Sequence, residues 1–250
     1  MKKLLKKDKN FVAYITAGHR GMKYSESSAM ALIKGGVDVI EIGVPFSDPL
    51  ADGPVIQQAM NDALHRGVTL EDVFELVGRL KKMKDIPIII FSYYNPFFSY
   101  GIDLALSKCQ HYGVDGVLIV DLPYEEGLDF CQACYNNHII PVGMLAPSSC
   151  ERRIKKVSSL FKDLIYYVCR TGVTGTQTDL GLDYDASMSR IKKLVKQPII
   201  SGFGIRSKDQ ASQVIACSQG FVVGSLFVDA MSRDISAQEL TQLAQSINPL

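Results

Sequence analysis

The chain has 250 residues, 47% hydrophobic and 21% charged, which is ordinary for a globular protein and allows one large domain or two small ones. Its 27 Lys and Arg against 26 Asp and Glu give a formal net charge of +1, which excludes nucleic-acid binding through bulk positive charge. No run approaches the roughly 18 uninterrupted apolar residues of a membrane span.

The basic N-terminus, Met1-Lys2-Lys3-Leu4-Leu5-Lys6-Lys7, lacks the long apolar region and small-residue cleavage site of a secretory signal. It is expected to form a short, solvated N-terminal helix on a cytoplasmic protein; Leu4 and Leu5 supply too little apolar area for a membrane patch. The next segments alternate in character. Apolar runs at Phe11–Ala17, Val37–Val44, Pro87–Tyr93, Asp115–Leu122, Ile139–Leu145, Leu164–Cys169, Pro198–Phe203 and Phe221–Val223 read as strands. Their apolar character is nearly continuous, as in parallel strands covered by helices on both faces. Between them Ser25–Lys34, Val55–His65, Leu70–Lys82, Asp103–His111, Glu151–Val157 and Asp209–Ala216 read as helices. Glu125–Asn137 reads as helical too. Eight strands alternating with helices form the inventory of a (β/α)8 TIM barrel, here a single domain over residues 1–250. An open doubly wound sheet would more often carry Gly-x-Gly-x-x-Gly after its first strand, where this chain has Ala17-Gly18-His19-Arg20-Gly21.

The six cysteines lie mostly in apolar runs of a long chain without a secretory signal, so reduced core thiols are expected rather than disulfides. Cys131-x-x-Cys134, with His138 nearby, has the spacing of a redox pair or half a metal site, but no second ligand pair follows and no metal site is assigned. His19, His65, His111 and His138 show no ligand spacing and are assigned to surface or helix positions.

In such a barrel, chemistry gathers where strands end and loops begin. Glu41 is a carboxylate within the apolar second strand. It must find a partner or raise its pKa, so it is either a structural glutamate or a general acid/base. Asp48 and Asp52 lie in the Pro- and Asp-rich loop that follows, where both could face the cavity of Glu41. Asp52 could accept a substrate N–H or stabilise positive charge, although its place before Gly53-Pro54 favours helix capping. Glycine pairs after the last strands (Gly172 and Gly175, Gly202 and Gly204, Gly224 with Ser225) suit a phosphate held between loops and a helix N-terminus. Ser225 could equally cap that helix. Aromatic residues at strand ends, among them Tyr14, Tyr93, Tyr166 and Phe203, could wall a planar apolar substrate or simply pack the core.

The string Ile40-Glu41-Ile42-Gly43-Val44-Pro45-Phe46-Ser47-Asp48-Pro49-Leu50-Ala51-Asp52-Gly53-Pro54 closely resembles the signature of the tryptophan synthase alpha chain. Matches continue in order through Tyr14–Gly18, Tyr93-Tyr94-Asn95-Pro96, Asp121-Leu122-Pro123, Gly172–Gly175, Gly202–Ile205 and Val223-Gly224-Ser225. The resemblance implies a lyase of tryptophan biosynthesis that cleaves indole-3-glycerol phosphate to indole and glyceraldehyde 3-phosphate. It implies that Glu41 is the general acid/base, that Asp52 holds the indole N–H, and that Tyr166 stands beside the reacting centre. Tyr14, Phe91, Tyr93, Leu118, Val120 and Phe203 match positions around the indole, Thr174 is assigned to substrate binding, and Gly175, Gly204, Gly224 and Ser225 match the phosphate cradle. It further implies an alpha2-beta2 assembly with a beta chain, which receives indole by channelling and holds the pyridoxal phosphate; no cofactor is assigned to this chain. The Pro45–Pro54 loop, with Asp48 and Pro49, and the Gly172–Asp183 loop resemble the segments that communicate with that partner. Ala13, His19-Arg20, Cys169, Leu226 and the Gln177-Thr178-Asp179 stretch depart from the usual pattern. Leu226, larger than the usual residue there, could tighten or misplace the phosphate anchor. These departures leave open an alternative: a catalytically weak alpha chain kept as an allosteric activator of the beta subunit.

Overall fold

The structure is a computed structural model that describes residues 4–169, 181–202 and 204–250. Eight parallel strands close in sequence order into a barrel. They are β1 (Asn10–Thr16), β2 (Val39–Gly43), β3 (Ile88–Ser92), β4 (Gly116–Ile119), β5 (Ile140–Leu145), β6 (Leu164–Val168), β7 (Ile199–Gly202) and β8 (Gly220–Val223). The ring closes where Asn10 and Phe11 of β1 pair with Gly220 and Phe221 of β8. Closure removes the free edges that an open sheet would expose.

Eleven helices occur among the described residues: α1 (Met22–Lys34), α2 (Pro54–His65), α3 (Leu70–Met83), α4 (Tyr94–Tyr100), α5 (Ile102–Tyr112), α6 (Gly127–Asn136), α7 (Glu151–Leu160), α8 (Gly181–Lys192), α9 (Lys208–Cys217), α10 (Ser225–Ser232) and α11 (Ala237–Ile247). Local chemistry sets several starts. Thr69 and Asp72 form a capping box for α3, Ser236 and Glu239 another for α11, and Ser207 caps α9. None of these helices is long and apolar enough to cross a membrane.

Strand alternation sorts the core into two layers. Phe11, Ala13 and Ile15 of β1, with Ile40 and Ile42 of β2, point outward and pack under the helices. Val12, Val39, Ile89, Leu118, Leu164, Ile200 and Val222 point inward and fill the barrel. Both faces are buried, so the strands read as continuous apolar runs.

The N-terminal lead-in differs from expectation. Its described residues, 4–9, form no helix. Leu4 is buried in the inner cluster beside Val12, Val142 and Leu164, and it meets the barrel at Gly116, the first residue of β4. Burying Leu4 in the barrel's lower end outweighs the weak propensity of a seven-residue basic helix, which is too short to persist alone. The thiols follow the core reading in part. Cys109, Cys131 and Cys134 are buried, whereas Cys150 is exposed. Burial pushes the Cys131 thiol up to about 12 and Cys134 well above its ordinary value, so neither is poised as a thiolate.

Candidate active site

Glu41 lies on the inward face of β2, in register with Tyr14 of β1 and Ile89 of β3. Its side chain is buried, and among the described residues its Oε1 atom has no hydrogen-bond partner. Burial raises its pKa to about 8, with the Asp52 charge adding to the rise. The carboxyl is therefore mostly protonated at neutral pH.

Asp52 reaches the same rim from the loop after β2. It is not a helix cap: Gly53 occupies the N-cap of α2 and no side chain bonds there. Instead the carboxylate turns inward and accepts a 2.7 Å bond from the Tyr93 hydroxyl. That hydroxyl in turn accepts from the Ala51 amide at 2.9 Å, so the loop backbone, Tyr93 and Asp52 form one chain of bonds. Burial raises Asp52 to about 6, and the Tyr93 bond holds the rise back. The two carboxyls thus titrate on opposite sides of neutrality, one as an acid and one as an anion. Asp48, the other candidate on this loop, stands exposed and bonds the Ser47 hydroxyl instead of facing the cavity.

Two tyrosines complete the inner rim. Tyr14 bonds Thr16 at 3.2 Å and meets Phe91 edge-on at 5.4 Å between ring centroids. Tyr166 lies inward on β6, and its hydroxyl senses both Glu41 and Asp52. Each ring needs a glycine across from it. A Cβ on Gly43 would lie 2.1 Å from the Tyr14 hydroxyl, and one on Gly202 would lie 2.3 Å from that of Tyr166. Phe91, Leu118, Val120 and Met144 supply inward apolar surface. Met144 was not singled out from the sequence; its signal was the alternation Ile140, Val142, Met144 along β5. Phe46 stacks on Tyr93 at 5.0 Å and backs the Asp52 contact.

The far side of the rim carries Gly204 and the Gly224-Ser225 turn. Gly204 is exposed, with φ of 72° and open space where a side chain would lie. Gly224 is the N-cap of α10, and Ser225 is its first residue without making a side-chain cap, so the capping role does not hold. A helix start leaves its first backbone amides without partners inside the helix, and here no side chain caps them. Leu226 follows Ser225 in the first turn of α10. It is partly buried against the outer core layer. Thr174, Gly175 and Phe203 lie outside the described residues, as does most of the Gly172–Asp183 loop.

His19 departs from its assignment to a surface or helix position. It sits buried in the β1–α1 loop between Asp62 of α2 and Ser232 of α10, because those two partners satisfy both ring nitrogens. His65 and His111 lie exposed near helix ends, and His138 in the turn after α6. Among the described residues no group of three or more His, Cys, Asp or Glu is arranged to hold a metal ion.

The likeness to known proteins runs along nearly the whole chain. A family model described as the tryptophan synthase alpha chain matches residues 1–249. The tryptophan synthase alpha chain of Coxiella burnetii (strain CbuK_Q154) is 46% identical over 244 residues, covering 98% of this chain and 95% of the relative. That of Chlamydia felis (strain Fe/C-56) is 40% identical over 248 residues, covering 98% and 96%. A chain of the tryptophan synthase complex from Pyrococcus furiosus superposes with a TM-score of 0.87 at 28% identity, over 95% of this chain and 97% of that one. Tryptophan synthase subunit alpha from Legionella pneumophila str. Paris gives 0.87 at 28% identity over 100% of both chains. With sequence and barrel in agreement, the chain belongs to the tryptophan synthase alpha chain family.

Proposed function

We propose that the retro-aldol cleavage of indole-3-glycerol phosphate, the activity of this family, is carried in this chain by Glu41 and Asp52. Glu41 enters the reaction protonated and donates its proton to the indole ring carbon that bears the glycerol chain. Asp52, ionised, accepts the ring N–H and stabilises the positive charge that this protonation creates. The glycerol hydroxyl then loses its proton to the Glu41 carboxylate as the carbon–carbon bond breaks. Indole and glyceraldehyde 3-phosphate leave, and Glu41 is protonated again, so the proton balance closes on one side chain. Tyr166 stands beside the reacting centre. Tyr14, Phe91, Tyr93, Leu118 and Val120 hold the indole, with Phe203 assigned to the same wall and Thr174 to the substrate. Gly204, Gly224 and Ser225, with Gly175, seat the phosphate and orient the chain to be broken.

The observation that carries this reading is the carboxyl pair on one rim, with Glu41 at about 8 and Asp52 at about 6. The alternative of an inactive activator leans on Leu226 and on His19-Arg20. Leu226 packs against the outer layer, and the other two bond to α2 and to the end of α10.

The partner in this reading is a tryptophan synthase beta chain in an alpha2-beta2 assembly, in the cytoplasm. It docks on the β2–α2 loop, where Asp48 and Pro49 precede Leu50, an apolar side chain left 83% exposed. Pyridoxal phosphate belongs to that partner; this chain's own residues supply the acid, the base and the anion seat. The test is to incubate the purified chain with indole-3-glycerol phosphate, alone and with a beta chain, and to follow indole. Indole release that Glu41→Gln abolishes supports the assignment. No indole in either case, with normal stimulation of the beta reaction, refutes it.

A further inference from the structure

The β1–α1 turn holds two helices together. Gly18-His19-Arg20-Gly21 closes with a 2.8 Å bond from the Gly21 amide to the Gly18 carbonyl. Arg20 sits at φ of 60°, a left-handed conformation that a side chain adopts only when its surroundings hold it there. Those surroundings are α2 and α10. The Asp62 carboxylate on α2 accepts the Arg20 amide at 2.7 Å and faces His19 Nδ1 at 3.2 Å. On α10, the Ser232 hydroxyl lies 3.0 Å from His19 Nε2, and the Ser232 carbonyl accepts from the Arg20 guanidinium at 3.3 Å. Arg20 also pairs with Asp234 just beyond α10 at 2.6 Å. Each residue of this dipeptide therefore bridges both helices.

The bonding pattern assigns the imidazole a tautomer. A carboxylate only accepts, so Nδ1 carries the proton toward Asp62; Nε2 faces the Ser232 hydroxyl at 3.0 Å, whose single proton is shared between it and the Val228 carbonyl at 2.9 Å. Burial lowers the His19 pKa, opposed by Asp62, which keeps the neutral ring favoured. The other charges acting on it are Arg20 in its own loop and Arg66 at the C-cap of α2, and Asp234 after α10 pairs with Arg20.

Both helices belong to the catalytic rim. α2 begins two residues after Asp52, and α10 begins at the Gly224-Ser225 turn. They meet over β1, where Ala59 of α2 and Val228 of α10 pack on Tyr14. We propose that His19 is a positioning residue that, through Ser232, fixes the helix bearing the phosphate seat against the helix that follows Asp52, and so sets the span between phosphate and indole contacts. The inference rests on the proposed seat at Gly224 and Ser225. Ser232 ends α10, about 10 Å along its axis from Ser225, so its hydroxyl influences an anion there only through the placement of the helix.

The experiment measures binding of glycerol 3-phosphate by calorimetry, and indole release from indole-3-glycerol phosphate, for wild type, Ser232→Ala, His19→Ala and the double variant. The worth of one partly buried hydrogen bond bounds the effect, so glycerol 3-phosphate should bind about two- to tenfold more weakly in each single variant. KM should rise in step while kcat stays within about threefold, because the carboxyl pair is untouched. The double variant should be no worse than the singles, since both cut one bridge. His19→Asn, which retains a donor toward Asp62 but cannot reach Ser232, should behave as His19→Ala does. Ser232→Ala removes one oxygen at an exposed helix end, so it keeps the test decisive if His19→Ala does not fold. Wild-type binding with Ser232→Ala unchanged, or losses that add in the double variant, overturns the bridge alone. A wild-type chain that binds no glycerol 3-phosphate overturns the phosphate seat and the bridge together.

Discussion

Replacing Tyr93 by Phe isolates the tuning of Asp52. The ring and its 5.0 Å stack on Phe46 remain, and only the hydroxyl that donates to Asp52 at 2.7 Å is lost. A hydrogen bond to a charged acceptor contributes roughly 1.5–3 kcal/mol, equivalent to a pKa change of about one to two. The bond stabilises the ionised form, so its loss moves Asp52 upward, from about 6 to roughly 7–8. At pH 7 the ionised fraction then drops from roughly nine-tenths to between a half and a tenth. The Tyr93→Phe variant should therefore cleave indole-3-glycerol phosphate about two- to tenfold more slowly at pH 7. The deficit should widen toward pH 6 and close above pH 8, where Asp52 is ionised in both proteins. The assay is a pH profile of kcat/KM for indole release, with the acid limb compared between wild type and variant. An acid limb that stays in place, with a deficit equal at every pH, would show that Tyr93 acts through packing and that Asp52 is not the group that must be ionised.

Glu41→Gln should lower indole release by at least about a hundredfold, the usual share of a positioned acid/base, while binding to a beta chain persists. The same substitution should change the pH dependence of stability. Glu41 is raised from an ordinary 4.5 to about 8 on folding, so the folded state holds the extra proton between these values, and stability falls as pH rises through that window. The melting temperature of Glu41→Gln relative to wild type should therefore climb from pH 4.5 to pH 8; a constant difference would place Glu41 in a solvated setting. Gly202→Ala puts a methyl group 2.3 Å from the Tyr166 hydroxyl and should cost about 1–3 kcal/mol in urea unfolding while raising KM, as the tyrosine is forced off the rim. Unchanged stability and kinetics would mean that the ring swings aside freely. Leu4→Ala should cost about 2 kcal/mol, near the low end for a buried leucine because a chain terminus can settle into the gap. No measurable loss would show that the barrel floor does not depend on it.

Much was determined by the sequence alone. Eight continuous apolar runs separated by amphipathic stretches admit a parallel sheet covered on both faces, and the count of eight allows it to close. Glu41 was legible for the same reason: an ionisable group inside such a run has no solvent to fall back on. Tertiary structure decided what each polar residue faces. Asp52-Gly53-Pro54 reads locally as a cap, yet Asp52 turns away from its helix because Tyr93, 41 positions later, offers a hydroxyl across the rim. Leu4 looks like part of a solvated basic segment, but only a closed barrel has a floor for it to fill. His19 shows no partner at any short spacing, because Asp62 and Ser232 lie 43 and 213 positions away and converge only when α2 and α10 settle over β1. Periodicity and burial cost act over a few residues and can be read along a chain; hydrogen-bond partners are chosen by neighbours that only chain closure brings together.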